Sequence, residues 1–348
     1  MITTAKEKKF YLLLFSLFLF TMVILLINIM TGKVTFSPVE LYQALIGEPI
    51  YPYHEQVLWE LRIPRVLIAI LAGAMLGLAG AILQSVTRNP LAEPGIMGVT
   101  AGSVFFAVLG ITLIPQIYKL SYFLPLLASL GGILVTLCVL FISARTKQNH
   151  VQIALIGVLL SSITQACTSF ILLSNQEAMG SILLWIIGSL NGRGWIHFEA
   201  LLPVAIFTLT LGLLSAGLAN GLRLGDAQAR SLGIDVKNAR FSLLLLAALL
   251  TAGAVSTIGA ISFIGLIGPH LAKQMIGEDA RRFFPVSMLV SSFLLLLSDT
   301  VAQNLIIYLP FDFFSSESQV PAGAITALLG APFFIYLLRA TTRKGIRS

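Results

Sequence analysis

The chain has 348 residues, of which 57% are hydrophobic and 11% charged, and it carries a net charge of +7. A soluble globular protein is about a quarter charged, so composition excludes a pair of soluble domains and points to one polytopic membrane domain over residues 1–348. The excess positive charge sits in short clusters between apolar runs rather than in one stripe, which sets nucleic acid aside as a partner and fits the loops of a membrane protein.

In chain order, Lys6, Lys8 and Lys9 precede an apolar run over 10–30. That run is longer than the core of a signal peptide and has no small-residue cleavage site after it, so it is expected to stay as a first span. Further apolar runs lie at about 66–85, 95–113, 122–144, 151–174, 196–220, 240–258, 260–277, 284–308 and 321–340. A helix needs about 20 apolar residues to cross a bilayer core. The expected fold is therefore all-α, a polytopic membrane protein of about ten transmembrane helices, the seventh and eighth joined by almost no loop. Residues 181–190 (SILLWIIGSL) are too few to cross and read as an interfacial or re-entrant piece.

Lysine and arginine set the orientation. With the N-terminus inside, only Lys33, Arg62, Arg65, Lys119 and Arg193 of the 22 basic residues fall outside. This asymmetry predicts cytoplasmic termini. Trp59, Trp185 and Trp195 then lie at the outer boundary, where tryptophan anchors.

Arg62 and Arg65 bracket Pro64, a residue suited to the first turn of a helix. They are expected to project from a fixed helix start towards the outer aqueous side, where contact with lipid headgroups is the plain reading. Asp299, in the outer half of the ninth span, is the clearest intramembrane carboxylate; it reads either as a functional group or as one satisfied by neighbouring helices. His270 reads as a structural hydrogen-bonding group or a proton relay, and Cys138 and Cys167 as buried small residues. Gly73, Gly77 and Gly80 in the second span, and Gly259, Gly265 and Gly268 near the eighth, suit close helix packing and broken helices.

Some chemistry is missing. The one Gly-Lys pair, Gly32-Lys33, is followed by Val34, so no Walker A loop is present to bind nucleotide. No His-rich or Cys-rich set suggests a metal, and no cofactor is called for. The chain is not expected to hydrolyse ATP by itself and reads as non-catalytic.

Four stretches act together: residues 61–103 (LRIPRVLIAILAGAMLGLAGAILQSVTRNPLAEPGIMGVTAGS), 225–236 (GDAQARSLGIDV), 259–285 (GAISFIGLIGPHLAKQMIGEDARRFFP) and 321–338 (PAGAITALLGAPFFIYLL). Together they resemble the permease subunit of ABC importers for iron-siderophores, haem and cobalamin. The resemblance runs over nearly the whole chain. It implies a ten-helix, cobalamin-importer-permease-like fold in the cytoplasmic membrane of a bacterium. It also implies a second permease subunit, identical or homologous, two cytoplasmic ATPase subunits and an extracytoplasmic substrate-binding protein. The cargo it favours is a ferric siderophore, with haem or cobalamin as the alternative.

The resemblance assigns roles to residues. It gives Arg62 and Arg65 to docking of the binding protein through acidic residues on its lobes. It gives the loop at about 221–240 to coupling with the ATPase, carried by Gly225, Asp226, Ala229, Leu232 and Gly233. There DAQARSLG reads as a short helix with Asp226 as N-cap and Gly233 just past its end. Asn89, Pro90 and Asp299 are assigned to the pathway or gate, and the 146–152 connection to the inner gate. The path is expected to be broadly apolar and non-specific, the binding protein doing the discriminating. Two positions depart from the family pattern: Ser318-Gln319 stands where Arg-Glu is usual, and Gln303 where an arginine would pair with Asp299. A gradient-driven secondary carrier is the rival reading from another class; it would need paired midplane carboxylates, which the sequence lacks.

Overall fold

The computed structural model describes residues 2–114, 122–144, 150–174, 179–308 and 320–345; the 146–149 part of the expected inner gate and Ser318-Gln319 lie outside the described residues. The elements are α1 (Ile2–Met30), α2 (Pro38–Leu45), α3 (Pro52–Gln56), a π-helical turn (Val57–Arg62), α4 (Ile63–Thr87), a 3-10 turn (Pro94–Met97), α5 (Val99–Leu113), α6 (Phe123–Ala144), α7 (His150–Ser174), α8 (Met179–Ile187), α9 (Trp195–Leu214), α10 (Ala216–Arg223), α11 (Asp226–Ser231), α12 (Val236–Ile258), α13 (Ile264–Ile276), α14 (Ala280–Tyr308) and α15 (Ala322–Gly345). The fold is all-α, as expected. Seven of these helices are long and apolar enough to cross a membrane, and α5 and the apolar part of α15 are shorter. With the 13-residue α13 they account for the ten apolar runs.

Packing sorts the helices into an inner and an outer set. The apolar windows of α4 and α12 are 83% and 78% buried, against 11% for α1 and 17% for α7. The inner set is made possible by small side chains. A Cβ added at Gly73, Gly77 or Gly80 of α4 would lie 2.6 Å from Ser292 Cα, 2.5 Å from Ser287 O and 1.8 Å from Gly265 O respectively. The backbones of α13 and α14 therefore run directly on α4, with Ser292 Oγ donating to Ile70 O at 2.7 Å across the contact.

The expected seventh and eighth spans are two pieces with a break between them. α12 ends at Gly259 (φ +77°), and α13 begins after Phe263, a non-glycine residue at φ +69°. A break within an apolar run leaves backbone groups that need partners outside the helix ladder. Ile258 O accepts from Ser189 N at 2.8 Å, Ala260 N donates to Trp185 O at 3.0 Å, and Gly323 N donates to Gly188 O at 3.0 Å. The short α8 segment thus serves as the partner of the break. Trp185 is consequently enclosed at 5% exposure in a small core with α5 and α6, and is not the boundary anchor expected. Cys138 and Cys167 are exposed on the outer faces of α6 and α7, correcting the expectation that they are buried. The expected sixth span is divided at Ser215 into α9 and α10.

Candidate functional site

The charged residues gather at two ends of the bundle, with a cavity between. At one end the π-turn delivers Arg62 and Arg65 to the start of α4, where Pro64 sits in the first turn as expected. Neither guanidinium projects outward. Arg62 is 8% exposed; it donates to Ile29 O at the end of α1 and to Val34 O, and lies over the Phe36 ring, 4.8 Å from its centroid. Phe36 in turn meets His54 at 4.6 Å, so Arg62 knits the 31–56 loop to α1 and α4.

Arg65 grips Asp299 with two bonds, Nε to Oδ2 at 2.9 Å and Nη2 to Oδ1 at 2.7 Å. Asp299 is wholly enclosed. Gln303 Nε2 donates to its Oδ2 at 2.8 Å, and Asn28 Nδ2 donates to the same oxygen at 3.3 Å and to Thr300 Oγ1 at 2.8 Å. The arginine that Gln303 does not supply therefore comes from α4, and the network ties α1, α4 and α14 together. The outward projection expected of both arginines is corrected by this geometry. An enclosed carboxylate needs a counter-charge, and Arg65 at the mouth of the neighbouring helix supplies it.

At the opposite end, α11 stands between α10 and α12. Its N-cap is Gly225 (φ +113°) rather than Asp226, and this frees the Asp226 carboxylate for another task. Asp226 Oδ1 accepts from Arg88 Nη2 at 2.7 Å and from Arg240 Nη2 at 2.9 Å. Arg88 caps α4 in the left-handed conformation (φ 52°), and Arg240 is buried in the first turns of α12. One carboxylate thus joins the short helix to two enclosed ones. The far end closes as expected: Gly233 (φ +78°) donates N–H to Arg230 O at 2.9 Å, and Ile234 N donates to Ala229 O at 3.0 Å, the paired bonds of a glycine-terminated helix. Ala229 is fully buried beneath, while Leu232 is 63% exposed at the tip.

The 277–282 turn braces the same end. Glu278 pairs with Arg223 and Lys273, and Asp279 accepts from Asn220 at 2.7 Å. Asn89 and Pro90 also belong here. Asn89 Oδ1 accepts from Leu91 N at 2.9 Å in an exposed turn, and Pro90 borders a small cavity with Arg88 and Arg223. His270 pairs with Gln274 at 2.8 Å.

A cavity of about 560 Å³ opens between α5, α7 and the break before α13. α7 lines it with Ser161, Ser162, Gln165, Thr168 and Ser169, and Ile96, Val104, Val158, Leu172, Ile186 and Ile261 make much of the rest of its wall apolar. Glu93 reaches it from the loop after α4. Its Oε1 accepts from Phe263 N at 2.8 Å, holding the N–H at the start of α13. Burial raises the Glu93 carboxyl above the usual carboxylate range, and the Phe263 N–H opposes that shift. The Phe263 ring fills the space over Gly330 of α15, where a Cβ would lie 2.1 Å from the ring.

Arg88, Arg240, Glu93 and Gln165 were missed as functional candidates in the sequence. Gln165 carried a signal, a primary amide midway along an apolar helix. The other three have meaning only through partners distant in the chain.

The profile of the FecCD transport family matches residues 19–340. The Fe(3+)-citrate import system permease protein YfmE of Bacillus subtilis (strain 168) is 32% identical over 98% of this chain and 99% of its own length. The iron(3+)-hydroxamate import system permease protein FhuG of the same organism is 34% identical over 96% of this chain and 98% of its own. A solved metal-chelate type ABC transporter in an inward-facing conformation superposes with a TM-score of 0.81 at 30% identity, covering 94% of this chain and 98% of that one.

Proposed function

We propose, from the premise that this chain belongs to the FecCD transport family of ABC importer permeases, that it carries a ferric siderophore across the cytoplasmic membrane of a bacterium, both its termini inside. The observation that carries this reading is the bracing of α11. A six-residue helix with an exposed leucine at its tip is fixed through Asp226 to the ends of α4 and α12. A push on that tip moves two enclosed helices together, which is what a subunit driven by a separate ATPase requires. A gradient-driven carrier has no use for such a lever.

In this reading two ATPase subunits contact α11 through Leu232 and the closures at Gly225 and Gly233. The second permease subunit covers exposed apolar faces, and the substrate-binding protein docks at the Arg62 end. Arg62 and Arg65 act on docking by holding the shape of that end rather than by reaching the partner. The chain itself hydrolyses nothing.

The test is uptake of labelled ferric chelates, haem and cobalamin by iron-starved cells with and without the gene, alongside Gly233→Val. Valine at φ +78° is strained by about 1–2 kcal/mol, although the space around Gly233 is open. The variant should reach the membrane but lose substrate-stimulated ATPase activity in the assembled transporter. Unchanged ATPase coupling would remove α11 from the coupling role; no gene-dependent uptake of any compound would remove the importer reading itself.

A further inference from the structure

The cavity beside α7 bears on cargo charge, an inference that rests on the importer reading. α7 turns Leu159, Ile163, Phe170 and Leu173 outward, each more than half exposed, as a helix against lipid or an apolar partner does. Its other face carries the polar groups. Some of these need nothing from outside: Ser162 Oγ donates to Val158 O at 3.0 Å and Thr168 Oγ1 to Thr164 O at 2.9 Å. Two are different. Ser161 Oγ is buried with no partner, and the exposed Gln165 amide makes no hydrogen bond among the described residues. An unsatisfied primary amide in mid-membrane is costly against hydrocarbon. This face is therefore built for something that hydrogen-bonds.

The charge of the lining is equally informative. Among the described residues it contains no lysine, arginine or histidine, and the one ionisable group among them is Glu93, already engaged by the Phe263 N–H. Pores that pass anions line the route with cations. A polyanion here would find no counter-charge and would face a carboxylate; a cation would find one occupied acceptor. A volume of about 560 Å³ suits a small-molecule cargo.

We propose that this cavity is a station on the cargo route that takes uncharged, hydrogen-bonding metal chelates, with Gln165 as the residue that contacts them. Three singly charged hydroxamates around Fe(III) give such a neutral chelate. Three doubly charged catecholates leave a polyanion, which the station rejects.

The experiment measures initial uptake of radio-iron, supplied as an uncharged ferric trihydroxamate and as a ferric tris-catecholate, in iron-starved cells whose only copy of the gene is wild type, Gln165→Glu, Gln165→Arg or Gln165→Cys. The cysteine variant is made with Cys138 and Cys167 replaced by serine, and is treated with a bulky maleimide after folding. Expected are wild-type uptake of the trihydroxamate only, glutamate and arginine variants within about threefold of each other, and at least a tenfold loss on maleimide treatment. Full uptake after verified labelling takes the cavity off the route and overturns the proposal. An advantage of tenfold or more for arginine over glutamate shows an anionic cargo, and the reverse a cationic one; either overturns it, as does wild-type uptake of the tris-catecholate. If wild-type cells take up neither chelate better than cells without the gene, the uncharged-chelate cargo is wrong and the proposal is overturned, while the importer reading stands or falls on the wider panel of ferric chelates, haem and cobalamin.

Discussion

The Arg65–Asp299 pair permits a test in which two single substitutions should differ sharply and their combination should recover. Arg65→Met leaves a fully enclosed carboxylate facing only the amides of Asn28 and Gln303. Asp299→Asn leaves an arginine whose side chain is 13% exposed and can shift its charged head towards water. Two unit charges with centres roughly 4 Å apart attract by about 4 kcal/mol at the effective dielectric of a protein. Breaking an enclosed pair from one side costs about 3–5 kcal/mol. Arg65→Met should fall in that range. Asp299→Asn should cost less, about 1–3 kcal/mol, as the loss of hydrogen bonds to a charged group does. The double variant keeps an amide for Gln303 and Asn28 to bond and leaves no bare charge, so it should melt above Arg65→Met. The assay is thermal unfolding of the purified chain in detergent, with uptake of the labelled chelate measured in parallel. If Arg65→Met melts like the wild type, or the two effects simply add, the pair does not brace the fold. If the double variant is stable but uptake stays lost, Arg65 touches the partner directly and the indirect docking role is refuted.

Other outcomes follow from the same geometry. Glu93→Ala leaves the part-buried Phe263 N–H without this acceptor at a cost of about 1 kcal/mol, whereas Glu93→Gln keeps an oxygen there; hydrogen exchange at residues 259–266 should rise in the alanine variant only. Gly80→Ala drives a methyl to within 1.8 Å of Gly265 O and should lower the melting point by more than an alanine placed at Gly217, which has open space. Asp226→Asn removes the charge that holds Arg88 and Arg240 together; substrate-stimulated ATPase activity of the assembled transporter should drop, and the melting point should fall too, because the exposed Arg88 pair contributes roughly 0–1 kcal/mol while the buried Arg240 loses bonds to a charged group worth about 1.5–3 kcal/mol.

What could be read directly from the chain was either cumulative or local. Membrane class follows from summed hydropathy, because burial in lipid acts on every apolar residue alike. The end of α11 follows from Gly233, since a helix closed by a left-handed residue favours glycine within one turn of sequence. The break near Gly259 and the close approach along Gly73, Gly77 and Gly80 were legible for the same reason: a missing Cβ is a property of the residue itself.

Direction and partnership were decided only by the tertiary structure. Arg65 and Asp299 lie 234 positions apart, and nothing within a turn of either says that they meet. An arginine at a helix mouth can as well face water as a carboxylate on the next helix. The choice depends on which helix is adjacent, and so on the packing of α4 against α14. The same holds for Asp226 between two arginines, for Trp185 enclosed under the break, and for α7, whose polar groups line a cavity only because the 93–101 segment and the break before α13 stand against it. Local physics acts through neighbours in sequence, whereas charge pairing and cavities act through neighbours in space.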